Sequence, residues 1–234
     1  MIADLVPGDA TRSAAIHRQV LGMQFLARPG AGFLVAYHRA WIRSPAGLAL
    51  GAFGADGELV GFLLGSLDPA SHYDWMFRRA GPGLALRLTG GILLRPALAR
   101  EVVATRGARY ALGVLVRLKR QLTHQARPGR TGTDGERGGR AGEITHLAVV
   151  TQAQGTGVGR ALVEATERRA RLSGTGGLVL VTPPDLEAAG FYTHLGWSTD
   201  GELTDRSGER FTRFRRYLVD PPPDAAQMKD HRPC

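Results

Sequence analysis

The stretch Glu143-Ile-Thr-His-Leu-Ala-Val-Val-Thr-Gln-Ala-Gln-Gly-Thr-Gly-Val-Gly-Arg160 decides the reading of this chain. Ile144, Leu147 and Val149-Val150 mark a buried strand. Thr151 to Gln154 is a turn, and Gly155, Thr156, Gly157, Val158, Gly159 and Arg160 lead into the helical pattern Val158 to Leu172. Glycines let a backbone approach a ligand closely, and they leave the first-turn N–H groups of the helix unblocked at the positive end of its dipole. Strand, turn and glycine-rich helix entry together make a pyrophosphate cradle. A dinucleotide fingerprint places its glycines differently and needs an acid about 20 residues on; here they fall at 155, 157 and 159, and the next strand ends Val181-Thr-Pro-Pro. A phosphate loop of the Gly-Lys-Ser/Thr kind is absent.

Outward from this stretch, Gly177 to Val181 reads as a second buried strand, Leu186 to His194 as a short helix, and Trp197 to Leu203 and Arg210 to Val219 as two closing strands around Asp205-Arg-Ser-Gly208. Upstream, Ala3 to Val6 is a short strand, and Arg12 to Phe25 and Phe33 to Ile42 are helices. Leu48 to Phe53 and Leu59 to Leu67 flank the hairpin turn Gly54-Ala-Asp-Gly57. Phe33, Tyr37 and Trp41 recur at four-residue spacing, a stripe that reads as core packing rather than a ligand box.

The glycine stretch resembles the acyl-CoA motif Gln/Arg-x-x-Gly-x-Gly/Ala of the GCN5-related N-acetyltransferases (GNAT), through Gln154, Gly157 and Gly159. Ala188-Ala-Gly-Phe-Tyr192-Thr-His-Leu-Gly-Trp197 resembles the family's Ala-x-x-Phe-Tyr-x-x-Leu-Gly-Phe segment. The resemblance implies an α/β (α+β) fold with a mixed, mostly antiparallel central sheet flanked by helices. It covers most of 1–67 and 143–219, with a helical insertion between the third and fourth strands. It also implies direct transfer of an acetyl group from acetyl-CoA to an amine. The N–H groups from Gly155 to Arg160 would then take the pyrophosphate, the main chain of Leu147, Ala148 and Val149 the pantetheine and thioester carbonyl, and Tyr192 the departing thiolate. Where the family often has an asparagine this chain has Asp185, which reads as a helix cap rather than a ligand.

Proton removal from the amine falls to Glu143 or His146. Strict alternation places Glu143 and Thr145 on one face and His146 with Ile144 on the other, so only one of the two points into the cleft unless a bulge splits the strand. Acid–base fitness favours Glu143.

The 234 residues carry 30 Lys+Arg against 21 Asp+Glu, a formal charge of +9. Residues 1–67 have five basic and four acidic side chains, residues 143–234 eleven and twelve, and residues 68–142 fourteen and five, so the insertion carries the whole excess. Only Lys119 and Lys229 are lysines and asparagine is absent, a bias that points to a GC-rich coding sequence as much as to polyanions. No zinc pattern or recognition-helix signature is present, which argues against nucleic acid as the main partner. Leu84 to Arg106 and Tyr110 to Leu122 read as basic amphipathic helices that Pro82 and Pro96 start or break, and 126–142 as a flexible glycine-rich loop. The insertion is placed to act as a lid with arginines for an anionic acceptor, as a dock for an acidic carrier or membrane surface, or as a solvated outer face. At its start, His72, Tyr73, Asp74 and Trp75 are candidate acceptor contacts.

One cysteine, Cys234, excludes an intramolecular disulfide framework and a cysteine metal cluster, and no metal site is expected. No apolar run reaches the ~20 residues of a membrane span, and Met1 to Pro7 has no signal-peptide pattern, so a cytosolic setting is expected. The chain reads as one domain over 1–219 with a loose tail at 220–234. The expected activity is N-acetylation of a small-molecule amine such as an amino sugar or biosynthetic metabolite. Acetylation of a protein lysine or N-terminus, and an inert CoA-binding or partner-binding domain, are the alternatives.

Overall fold

The computed structural model describes residues 1–22, 30–93, 141–183, 188–204 and 210–218. Among the described residues seven strands form one sheet: β1 (Ile2–Asp4), β2 (Gly47–Phe53), β3 (Leu59–Ser66), β4 (Ala141–Val149), β5 (Gly177–Thr182), β6 (Ser198–Thr204) and β7 (Arg210–Tyr217). Their spatial order is β1-β2-β3-β4-β5-β7-β6, and every neighbouring pair is antiparallel except β4 with β5. The sheet is thus mixed and mostly antiparallel, as the family resemblance implies.

Side chains alternate across β3 and fill both faces. Phe62 and Leu64 pack with Trp41, Ile16 and Ala40 beneath α1 (Ala10–Val20) and α2 (Ala31–Arg43). Leu63 turns to the opposite face, with Leu50, Ile144, Leu162, Leu178 and Phe214 beneath α5 (Val158–Leu172). Both faces being covered explains why β3 reads as a nearly continuous apolar run. The short α6 (Ala188–His194) closes the second core through Tyr192. A buried carboxylate locks this end: Glu167 on α5 accepts from the Trp197 indole at 3.2 Å and pairs with Arg171 and Arg216 at 3.3 and 3.5 Å.

After β3 the chain enters α3 (Pro69–Trp75), capped by Asp68, whose carboxylate accepts from the Ser71 N–H at 3.2 Å. It passes through a π-helical turn, Met76–Ala80, into α4 (Gly81–Leu93) with no gap between them. Pro82 thus stands in the first turn of α4, as expected of a proline that starts a helix, although the chain before it is already helical. A proline ring inside a helix collides with the carbonyl four residues back, and a wider turn immediately before it relieves that collision. Here the Gly81 N–H reaches five residues back to the Met76 carbonyl. The rest of the insertion, with Pro96, the second basic helix and the 126–142 loop, lies outside the described residues, as do Asp185, Cys234 and the 220–234 tail.

Candidate acyltransfer site

β4 and β5 pair only at their starts, Ala141 with Gly177, Gly142 with Leu178 and Glu143 with Val179. β4 continues to Val149 and β5 to Thr182 without further pairing. On its other side β4 remains bonded to β3 as far as Val149. Between Thr145 and Val149, then, one edge of β4 faces an opening in the middle of the sheet, a place where an extended ligand arm finds main-chain donors and acceptors.

The register of β3 against β4 shifts where this opening begins. His146 lies opposite Leu64 and Ile144 opposite the next residue, Gly65, so Thr145 is one residue too many. The bulge undoes strict alternation. Ile144, Leu147 and Val149 belong to the core under α5, while Ala148 belongs to the core under α1 and α2. His146 lies among His17 and Tyr37 on that second face, and Glu143 accepts a hydrogen bond from the Tyr73 hydroxyl of α3 at 3.1 Å and from the Thr145 hydroxyl at 3.3 Å. The bulge brings Glu143 and His146 to the same side of the sheet.

Their surroundings differ. Glu143 is half-buried. His146 is buried, and its Nε2 sits 3.0 Å from the Tyr37 hydroxyl. Burial lowers its pKa to about 3, and nearby His17 adds to the effect. Behind it, the Ser13 hydroxyl donates to the Asp9 carbonyl at 3.1 Å. His38 Nδ1, 2.9 Å from that hydroxyl, must therefore be a donor, and its bare Nε2 must accept from His17 Nδ1 at 3.0 Å. His17 Nε2 is left as a buried lone pair without a partner. His17, at about 4, and His38, at about 2, are both held neutral by burial. Tyr37 packs on the core under α2, as its four-residue stripe predicts, and it also meets His146, a contact between residues 109 apart that periodicity cannot reveal.

The four candidate acceptor contacts separate. Tyr73, on Glu143, has its pKa raised to about 12 by burial and by that carboxylate. His72 is fully buried, bonded to the Ser44 hydroxyl at 2.8 Å and packed against Trp41 with ring centroids 3.9 Å apart. Asp74 pairs with Arg78 at 3.0 Å on the surface, and Trp75 turns away toward α2. Only Tyr73 reaches Glu143.

β4 ends at the glycine loop. Gly155 and Gly157 have φ of +74° and +88°, the left-handed region that other residues enter at a cost. Gly157 is the N-cap of α5, and no side chain caps it. The Gln154 amide donates to the Val149 carbonyl at 2.9 Å and Thr156 Oγ1 to the Ala153 carbonyl at 2.7 Å, so both side chains brace the loop. Arg160 pairs with Glu164 at 2.9 Å. A Cβ at Gly159 would lie 3.3 Å from the Phe191 ring, so glycine is what allows α5 to approach α6. Val158 packs on the core under α5. Tyr192 is 6% exposed, between Trp197 and Phe214 at centroid distances of 5.7 and 5.9 Å, and burial raises its pKa above the ordinary phenol value.

Residues 131–218 match the Acetyltransferase (GNAT) domain. The chain has the fold of the GNAT acetyltransferases. Among solved structures, that titled SsHAT aligns with a TM-score of 0.60 at 16% identity, covering 94% of this chain and 98% of the other. The aminoglycoside 6'-acetyltransferase type Ii aligns at 0.54 and 14%, covering 95% and 99%. Ard1 from Thermoplasma volcanium aligns at 0.52 and 16%, covering 94% and 98%. None of the curated proteins matches in sequence. An aminoglycoside 6'-N-acetyltransferase solved in complex with coenzyme A shares the fold at a TM-score of 0.54 and 12% identity. Two features of this chain suit an acyl-CoA: a glycine loop at a helix start that no side chain caps, and an open β4 edge leading from it toward Glu143. No described helix is long and apolar enough to cross a membrane, and no described group of His, Cys, Asp and Glu could hold a metal ion.

Proposed function

We propose that the chain is an N-acetyltransferase that moves an acetyl group from acetyl-CoA directly to the amine of a small molecule. The observation that carries this reading is the opening of β4 from β5 beside Glu143, continuous with the Gly155–Arg160 loop. Acetyl-CoA supplies the activated thioester. The first-turn N–H groups of α5 hold its pyrophosphate, which the helix dipole also favours. The Leu147–Val149 main chain binds the pantetheine arm and orients the thioester carbonyl.

Glu143 attracts the cationic form of the acceptor and takes its proton, directly or through water, so that the neutral amine attacks. His146 is a poor proton acceptor because burial holds it neutral far below pH 7. Its part is to fix Tyr37 beside the cleft, while Tyr73 orients Glu143. Tyr192 returns a proton to the leaving thiolate; a phenol made less acidic by burial starts protonated, as a general acid must. Small-molecule acceptors are favoured by the aromatic neighbourhood of Glu143, formed by Tyr73 and Tyr37.

The test is release of free CoA thiol in the presence of a panel of amino sugars, diamines and amine metabolites, with a lysine-bearing peptide and an N-terminal peptide alongside. Release with a small amine, reduced ~10²-fold or more in Glu143→Gln, is expected. Thiol release with the peptides alone would move the acceptor to protein. No release with any amine, in a chain that binds CoA, would leave an inert CoA-binding domain.

A further inference from the structure

The outer side of α2 and the α3–α4 helix enclose a groove that plays no part in the reaction above. Its hollow is about 380 Å³, and Arg39 and Arg43 stand on one bank, Arg79 and Arg87 on the other. None of these four guanidinium groups pairs with a carboxylate among the described residues; Arg87 donates only to the Gly83 carbonyl, at 3.1 Å. Between the banks the floor is apolar, built from Ala36, Ala40, Ala80, Gly83 and Leu84 with Trp75 at one end. Small residues along two packed helices leave a valley into which the ridge of a third helix fits closely.

We propose that this groove docks an acidic amphipathic helix of a partner protein. Arg39 and Arg43 are one helical turn apart, ~6 Å, and Arg79 and Arg87 two turns, ~12 Å. Glu or Asp at i and i+4 on the two flanks of a docked helix has the same repeat, and small apolar residues between them meet the alanine floor. Charge excludes the obvious internal occupants. Residues 94–140 carry eleven basic and three acidic side chains, and a second copy of the chain arrives with +9. The partner must bring the negative charge, and the apolar floor requires that it bring a nonpolar face as well. The groove opens on the side of α3 toward which Trp75 turns, while Tyr73 of the same helix meets Glu143. Docking is therefore separate from acceptor chemistry and stands whether or not the transfer reaction does.

The experiment is fluorescence anisotropy of the full chain with a labelled 16-residue synthetic helix bearing Ala and Leu on one face and Glu at i, i+4 on its flanks. A Gln-for-Glu peptide of the same pattern is the comparison. Saturable binding of the Glu peptide is expected, weakening as salt rises, with at least a tenfold loss in Arg39→Ser/Arg79→Ser/Arg87→Ser. The control Arg12→Ser/Arg18→Ser/Arg168→Ser removes the same charge elsewhere and should hold affinity within twofold. If the first variant does not fold, Ala36→Phe, which fills the floor without changing charge, should give the same loss. Equal binding of the Gln peptide, equal loss in both triple variants, or full displacement by inorganic phosphate at constant ionic strength would overturn the proposal. Binding seen only after removal of residues 219–234, which carry three aspartates, would overturn it in favour of the chain's own segment.

Discussion

Tyr192 carries two demands that pull in different directions. It fills the core between Trp197 and Phe214, and in the proposed mechanism its hydroxyl must also reach the thiolate of the opened sheet. Phenylalanine keeps the ring and removes only the proton. Tyr192→Phe should therefore retain the melting temperature and the CoA dissociation constant while turnover falls ~10²-fold or more; unchanged turnover would make Tyr192 a packing residue alone. The glycines of the loop make a complementary case. At φ +88°, Gly157→Ala forces a side chain into the left-handed region at a cost of ~1–2 kcal/mol. Gly159 has an ordinary φ but no room, so Gly159→Val drives a methyl against Phe191. Both should weaken CoA binding by calorimetry, Gly157→Ala through the loop's shape and Gly159→Val through the seat of α5 on α6. CoA affinity unchanged in both would remove the loop from the CoA site.

At the scale of elements, the helix Val158–Leu172 and the strands around it were legible because their apolar periods are long and their ends carry glycine or proline. The bulge at Thr145 was legible only as a condition on the alternation argument, since nothing local in Glu143-Ile-Thr-His146 demands it. It follows from what the two neighbours require: β3 keeps pairing with β4 to Val149 while β5 departs after Glu143. Likewise Pro82 marks the start of α4, but the π turn that joins α4 to the helix before it rests on the wide hydrogen bond to Met76, not on a sequence signal. The bulge carries its own prediction. Deleting Thr145 makes Ile144 and His146 consecutive partners of Gly65 and Leu64, so Glu143 keeps its face but loses the Thr145 hydroxyl and the strand bend beside the opening. Such a variant should lose thiol release far more than it loses CoA binding, measured by calorimetry; retention of both would show that the proton acceptor is elsewhere.

For the molecule as a whole, the histidines set the response to acid. His17, His38, His72 and His146 are all buried, and burial depresses each below its ordinary value of 6.5, to about 4, 2, 4 and 3. Above pH 6.5 neither the folded nor the unfolded chain protonates them, and they leave stability independent of pH. Below 6.5 the unfolded chain binds protons that the folded one refuses, so stability falls as pH falls, by on the order of 1 kcal/mol per pH unit for each histidine that stays neutral. Three of the four lie in one network joining α1, α2 and β4, so their loss would open the sheet at the strand that bears Glu143. Urea midpoints should accordingly drop between pH 6.5 and 5.5, above the range where carboxylates titrate. His38→Gln should flatten that slope by about one proton even if it lowers the midpoint at pH 7.5. A midpoint constant down to pH 5.5 would mean that water reaches the network and that the histidines titrate alike in the folded and unfolded chain.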